Sequence, residues 1–306
     1  MNLMTMEYFS VLAKERNFTR AAEVLHITQQ TLSAHIAGLE KELGCRLLVR
    51  RVPLELTYAG KVFLKYAQEF QEKLKDLKQE FSDITNNQQG VLKVGIALVW
   101  GSSLMPKAIL DFQKLFPNVS VEISEENPDV LQTKLLNGEI DLAVGKFPRD
   151  LPGMILEEYY EEEIVLTVRE DLLLRTYGKD VQRVLDSFRQ GDFSRLSECP
   201  LLLRPFGYVS GHVAEGFLRK LRIDRPLVKA ESANIDILFS LCLDGAGAFF
   251  CPKTLAASAQ RGLLVFPIGD EARYHNRFAV KEGAYQWSVI SAFMDCARNV
   301  VPVRRG

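Results

Sequence analysis

Apolar residues Leu3, Met6, Phe9, Leu12 and Ala13 recur at three- and four-residue steps, which predicts an amphipathic helix over 3–15. Asn17-Phe18-Thr19 breaks that pattern, and Thr19 is a suitable N-cap for a short second helix over 20–25. Ala21 and Ala22 leave room there for a neighbouring helix. His26-Ile27 reads as a turn, Thr28 as the N-cap of a third helix, and Gly44 as its C-terminal stop. On that helix Leu32, Ile36, Leu39 and Leu43 form one apolar stripe, while Gln30, Ser33, Ala34, Ala37 and Lys41 take the other side. Arg46, Arg50 and Arg51 flank the short alternating run 52–56, which reads as a basic two-stranded wing.

From Ala59 the apolar positions are Phe63, Tyr66, Phe70, Leu74, Leu77, Phe81 and Ile84, in steps of 4, 3, 4, 4, 3, 4, 3. That is close to the repeat of about 3.5 residues that keeps a seam facing a partner helix. Residues 86–90, Asn-Asn-Gln-Gln-Gly, then read as a hinge. Beyond it strands at 91–96, 119–123, 140–144 and 163–168 alternate with helices at 104–115, 130–136 and 179–190, and 239–252 ends a helix and enters a buried strand. Alternation of this kind predicts a mainly parallel sheet covered on both faces, with ligands held at the C-terminal strand ends.

Candidate chemistry falls in two places. Gln29 and Gln30, in the first turn of the third helix, can set amides against base edges, with Thr31 and Ser33 on the same face. The Thr28 hydroxyl and the helix N-terminus suit a phosphate, and Arg20, Arg50 and Arg51 can reach the DNA backbone. In the α/β part, the loop after the first strand carries Ala97, Val99, Trp100, Ser102 and Ser103, where the two serines could hold a carboxylate and Trp100 adds an aromatic face. Asn127, Lys146 and Phe147 end other strands, and Arg204, Tyr208, Ser210 and His212 lie on a loop expected to open onto the same cleft. The expected ligand is a small anion with an aromatic or aliphatic body. Pairing of Arg204 with a local Glu, with Trp100 merely packed, remains the alternative.

Composition narrows the classes. A length of 306 residues suits two or three domains, and a formal net charge of -1 argues against a non-specific DNA coater. Residues 1–60 hold seven Lys/Arg against six Asp/Glu, so attraction to DNA must come from local placement. The chain opens straight into an amphipathic helix and has no long apolar run, so no signal peptide, no membrane span and a cytoplasmic location are expected. Five scattered cysteines read as buried spectator thiols. Four histidines without metal spacing, and no Ser-His-Asp or phosphate-loop motif, point to a non-enzyme without cofactor. The acidic run 157–163 reads as a solvated edge.

Residues 1–60 resemble the winged helix-turn-helix of LysR-type transcriptional regulators. The matching positions are Phe18-Thr19-x-Ala21-Ala22-x-x-Leu25, Gln29-x-x-Leu32-Ser33-x-x-Ile36-x-x-Leu39-Glu40-x-x-Leu43-Gly44, Leu47-Leu48-x-Arg50 and Leu56-Thr57-x-Ala59-Gly60. Gln30 stands where the family usually has Pro, Ala34 where Arg is common and Leu48 where Phe is usual, and the wing is about one residue short. The remainder resembles the family's effector domain, a two-lobed α/β fold of the type 2 periplasmic-binding-protein kind. Relative to it, helix 179–190 looks like an insertion, and Ala97 and Val99 replace common hydroxyl residues.

The resemblance implies a DNA-binding domain at 1–60 (helix-turn-helix about 18–37), a linker and dimerisation helix at 58–86, and an effector domain at 91–303. Lobe 1 would span about 91–166 and 270–303, and lobe 2 about 167–269. It also implies promoter DNA read as an interrupted palindrome, a homodimer through helix 59–84, a homotetramer through paired effector domains, and RNA polymerase as a further partner. A solute-binding or metabolite-sensing protein without direct gene regulation is the alternative.

Overall fold

Three helices, α1 (Leu3–Glu15), α2 (Phe18–Val24) and α3 (Gln29–Leu43), enclose a small core of Phe9, Leu12, Ala21, Ala22, Leu32, Ile36 and Leu39. The structure, a computed structural model, describes residues 2–49, 51, 53–85, 88–97, 104–259 and 262–301. It divides into one unit of 1–89 with 283–288 and a second of 90–282 with 289–306.

Asn17, not Thr19, caps α2: its side-chain oxygen accepts from the N–H of Thr19 at 2.9 Å and of Arg20 at 3.1 Å. Its extended backbone lets the short amide reach back into the first turn, so the helix starts two residues earlier than expected. Thr28 and Gly44 cap α3 as predicted, Gly44 with φ 67. The wing is a pair of two-residue strands, β1 (Leu48–Val49) and β2 (Glu55–Leu56), with Leu48 opposite Leu56. Buried Glu40 ties it to α3 by accepting from the N–H groups of Leu47 (2.8 Å) and Leu48 (3.3 Å) and from Arg46 (3.2 Å). Gly60 follows the wing where a side chain would collide with the Leu47 carbonyl.

Helix α4 (Tyr58–Ile84) has Thr57 as its N-cap. Its seam begins inside the core, where Phe63 meets Phe9 edge-on at 5.0 Å. Further along, Tyr66, Phe70, Leu77, Phe81 and Ile84 are exposed. At its far end Asp83 accepts hydrogen bonds from Gln88 (2.8 Å), Tyr285 (2.9 Å), and the N–H (3.0 Å) and hydroxyl (2.7 Å) of Ser288. The indole N–H of buried Trp287 donates to Gln88 at 3.1 Å. Asn86 and Asn87 of the predicted hinge lie outside the described residues.

The second unit is built on a nine-stranded sheet. Its strands are β3 (Gly90–Ala97), β4 (Val119–Glu126), β5 (Leu142–Gly145), β6 (Met154–Arg169), β7 (Leu201–Leu203), β8 (Val228–Glu231), β9 (Ala248–Pro252), β10 (Leu263–Pro267) and β11 (Arg273–Lys281). The order is β4-β3-β5-β11-β6-β9-β7-β8, with β10 also on β6. The sheet is mixed rather than mainly parallel. β3 and β7 pair in parallel with their neighbours, whereas β11 and β6 pair antiparallel with theirs. The reason is that β6 and β11 are long and serve both halves: Met154–Glu163 of β6 pairs β11, and Ile164–Thr167 pairs β9.

Alternate residues of β6 enter cores on the two faces. Ile164, Leu166 and Val168 pack with α7 (Glu170–Tyr177), α8 (Val181–Arg189) and α9 (Val209–Lys220), while Val165 packs with α10 (Ile235–Leu243) and α11 (Lys253–Ser258). The helices α5 (Met105–Leu115), α6 (Pro128–Leu136) and α12 (Ser288–Val300) complete the element order, and α7 carries no counterpart in the predicted pattern.

That placement corrects the reading of the acidic run. Residues 157–163 lie in a central strand, with Glu162 and Glu163 buried. Glu157 pairs with Arg298 (2.7 Å), Glu158 with Arg277 (2.8 Å) and Glu163 with Lys253 (3.0 Å). Four cysteines are buried as expected, but Cys45, just past the end of α3, is exposed.

Candidate functional site

The first candidate surface is the outer side of α3. Thr28, Gln29, Gln30, Thr31, Ala34 and Ala37 are exposed and Ser33 is half-buried, while Leu32, Ile36 and Leu39 hold the helix to the core. The Thr28 hydroxyl is engaged: it accepts from the Thr31 N–H at 3.1 Å and lies 2.8 Å from the Thr31 hydroxyl. Open N–H groups in the first turn are therefore the better phosphate donors.

The nearby cations are largely compensated. Arg20 is 3.6 Å from Glu15, Arg46 is 3.2 Å from Glu40, and Arg51 pairs with Glu55. Arg50 lies outside the described residues. Such exposed pairs exchange partners at small cost, so the arginines can turn to phosphate, but they contribute little surplus field.

The second candidate is a cavity of about 120 Å³ in the α/β unit. Ala97, Asn127 and Lys146 line it from the ends of β3, β4 and β5, and Tyr208, Val209, Tyr274 and Asn276 from the region of α9 and β11. Asn127 is also the cap of α6, accepting from the Val130 N–H at 3.1 Å. Val99, Trp100, Ser102 and Ser103 lie outside the described residues. Phe147 is not in the cavity: it packs in the core with Leu131, Leu135 and Ile140, because the chain turns inward directly after Lys146. His212 sits against Phe206, 4.8 Å between ring centroids, and does not line the cavity either.

Arg204 lies directly behind Tyr208, its guanidinium carbon 4.0 Å from the ring centroid. It is 5% exposed, and only Nη2 is bonded, to the Ala233 carbonyl at 2.6 Å. Nε and Nη1 have no partner, and burial pulls the guanidinium below its ordinary value. Among the described residues no carboxylate is within ion-pair distance of it, and Asp236 acts on it only through longer-range attraction. Ser210 Oγ (1% exposed) and Asn276 Nδ2 (3% exposed) are likewise buried without partners.

The first turn of α9 has no side-chain cap, so its N–H groups add to the same donor set. Buried polar atoms are normally satisfied, and a cluster of unsatisfied donors points to an acceptor supplied from outside. Neither Arg204 nor Ser210 lines the cavity of about 120 Å³; Arg204 instead lines a larger groove of about 420 Å³ beside α9 and residues 223–226. The unpartnered donors Ser210 and Asn276 are not part of it.

Tyr274 and Asn276 are among the lining residues that sequence reasoning did not single out. Both lie on one face of β11, two residues apart, and only the pairing of β11 with β5 and β6 brings that face to the cavity.

Two family models match the chain: one described as "Bacterial regulatory helix-turn-helix protein, lysR family" over residues 3–61, and one as "LysR substrate binding domain" over 85–302. The chain is similar to the uncharacterized HTH-type transcriptional regulator YcgK of Bacillus subtilis (strain 168), 26% identical over 98% of this chain and 94% of that one. Other curated relatives align over about half of their own length. Among solved structures it is similar to full-length OxyR C199D from Pseudomonas aeruginosa, with TM-score 0.68, 22% identity and coverage of 98% and 96%. It is also similar to full-length CbnR complexed with its target DNA, with TM-score 0.62, 20% identity and coverage of 98% and 100%. At these identities the two structures speak to the fold.

Proposed function

The chain belongs to the LysR family of transcriptional regulators, and from that premise we propose that it reads promoter DNA as a homodimer and that a small anion in the α/β cavity adjusts the reading. It is a LysR-type regulator with a helix-turn-helix DNA-binding domain and a substrate-binding domain, in a family of regulators rather than enzymes. No described helix is long and apolar enough to cross a membrane. A DNA-reading bacterial regulator works in the cytoplasm, where its DNA is.

In this reading the outer side of α3 enters the major groove, with Gln29 and Gln30 against base edges and Arg20, Arg50 and Arg51 on phosphates. The exposed apolar seam of α4, from Tyr66 to Ile84, supports pairing of two copies through helix 59–84. Family likeness supports a homotetramer and contact with RNA polymerase. Effector binding changes the bend of the promoter only to the extent that the ligand prefers one assembly state.

The observation that carries the ligand half is Arg204, a buried guanidinium with two unbonded donors packed behind the cavity-lining Tyr208, together with the unbonded, cavity-lining Asn276. The test is a gel shift and footprint of the full chain on the DNA upstream of its own gene, with and without a panel of small carboxylates. Sequence-specific retardation should vanish in Gln29→Ala/Gln30→Ala. Arg204→Met should still bind DNA but no longer respond to the carboxylate that shifts the wild type. Turnover of a substrate without DNA binding would overturn the reading.

A further inference from the structure

The DNA-reading unit holds a pocket of its own, of about 260 Å³, between the end of α1, the second strand of the wing and the start of α4. Four aliphatic side chains line it: Leu12 and Leu54, which are buried in the core of the unit, and Ala13 and Leu56, which are half-buried. The Leu54 N–H donates to the Arg16 carbonyl at 3.3 Å, which fixes the chain after α1 against the wing. No residue of α3 takes part in the pocket.

Three charged residues complete the lining: Arg16, Glu55 and Lys61. Glu55 is taken by Arg51. Arg16 and Lys61 are exposed, and among the described residues neither has a carboxylate within ion-pair distance. Arg16 ends α1 with φ 51, a left-handed conformation that Gly or Asn takes more readily, so the turn itself gains nothing from an arginine. Lys61 stands just inside α4, whose first turn carries no acidic residue, and negative charge is favoured near the start of a helix. A DNA phosphate needs the two cations but no apolar hollow, and an apolar protein surface needs the hollow but no free cations. An amphipathic anion uses both.

We infer that this pocket is a second small-molecule site, separate from the α/β cavity, and that it takes an alkyl carboxylate. The alkyl chain lies against Leu12, Ala13, Leu54 and Leu56, and the carboxylate meets Arg16 and Lys61. Leu54 and Leu56 belong to the wing, so the ligand rests on the element that presents Arg51. The site goes beyond the function proposed above and does not depend on it.

Calorimetric titration of the full chain with acetate, with the straight-chain acids from butanoate to octanoate, and with 1-octanol tests this. Each methylene added to the acid should tighten binding by up to about fourfold. Octanol, without the charge, should bind at least about tenfold more weakly than octanoate. Arg16→Gln/Lys61→Gln changes two exposed residues and should weaken octanoate by at least about tenfold. Ala13→Phe, which fills the pocket and keeps both cations, should abolish the same binding, while Arg204→Met should leave it in place. Octanoate held as tightly by Arg16→Gln/Lys61→Gln as by the wild type overturns the inference, as does octanoate binding lost only in Arg204→Met. Acetate bound as tightly as octanoate overturns the apolar half. A gel shift of Arg16→Gln/Lys61→Gln without any acid should match the wild type, and weaker retardation marks the two cations as phosphate contacts and overturns the site. Failure of the whole series to bind the wild type also overturns it, and leaves the proposed function standing.

Discussion

Replacing Arg204 by methionine separates a side chain kept for a ligand from one kept for the fold. Two of its donors, Nε and Nη1, are buried and unbonded. Each such group costs about 1–3 kcal/mol, so together they oppose folding by about 2–6 kcal/mol. Against them stand the bond to the Ala233 carbonyl, at about 1.5–3 kcal/mol for a charged donor, and the contact with the Tyr208 ring, at about 0.5–2 kcal/mol. The opposing contributions nearly cancel, and methionine fills the space without a donor to satisfy.

The ligand-free variant should therefore be as stable as the wild type, or more stable by up to roughly 2 kcal/mol. Urea unfolding with matched m-values measures this. Saturating ligand at about a hundred times its Kd should add about 2.7 kcal/mol to the wild type and nothing to the variant. A ligand-free Arg204→Met that lost more than about 3 kcal/mol would mark Arg204 as a structural group and refute the reasoning.

Asn17→Ala removes the cap of α2 and should cost about 1 kcal/mol; an unchanged urea midpoint would return that role to Thr19. Burial pushes Cys199 and Cys251 up to about 12 and Cys242 to about 11, so little thiolate exists at neutral pH. A thiol reagent added to the native chain should modify Cys45 rapidly and the other four only on unfolding; a second fast thiol contradicts this. Burial alone would raise the Asp83 carboxyl, but hydrogen bonds from Ser288, Gln88 and Tyr285 outweigh it and hold it below the ordinary value. The folded chain then keeps that charge to lower pH than the unfolded one. The stabilisation is complete above about pH 4 and is lost as pH falls through the folded value. The difference in urea midpoint between wild type and Asp83→Asn should shrink as the pH is lowered towards about 3; a constant difference would contradict it.

The helical unit was legible because its signals are local. Leu32, Ile36 and Leu39 fall on the predicted stripe, and Thr28 and Gly44 cap α3 where expected. The error at Asn17 arose because two adequate caps stand two residues apart, and only backbone geometry chooses between them. The acidic run was misread for the opposite reason. Its partners, Arg277, Arg298 and Lys253, lie about a hundred residues away and arrive only when β6 takes its central place. Asn127, Lys146 and Tyr208 share a cavity because strand and helix ends converge there. Asn276 was not singled out, because only the place of β11 in the sheet brings its face to the cavity.

The hydrogen-bonded cluster at the end of α4 bears on how such chains can be taken apart. Packing assigns residues 283–288 to the first unit although about two hundred residues separate them from its end. A cut at position 90 would strand Tyr285, Trp287 and Ser288 without Asp83 and Gln88. A chimaera that exchanges only the first 89 residues would join two halves of a cluster that never met. Modules exchanged between related chains should therefore be defined as two segments, and the short one near the C-terminus has to travel with the long helix it grips.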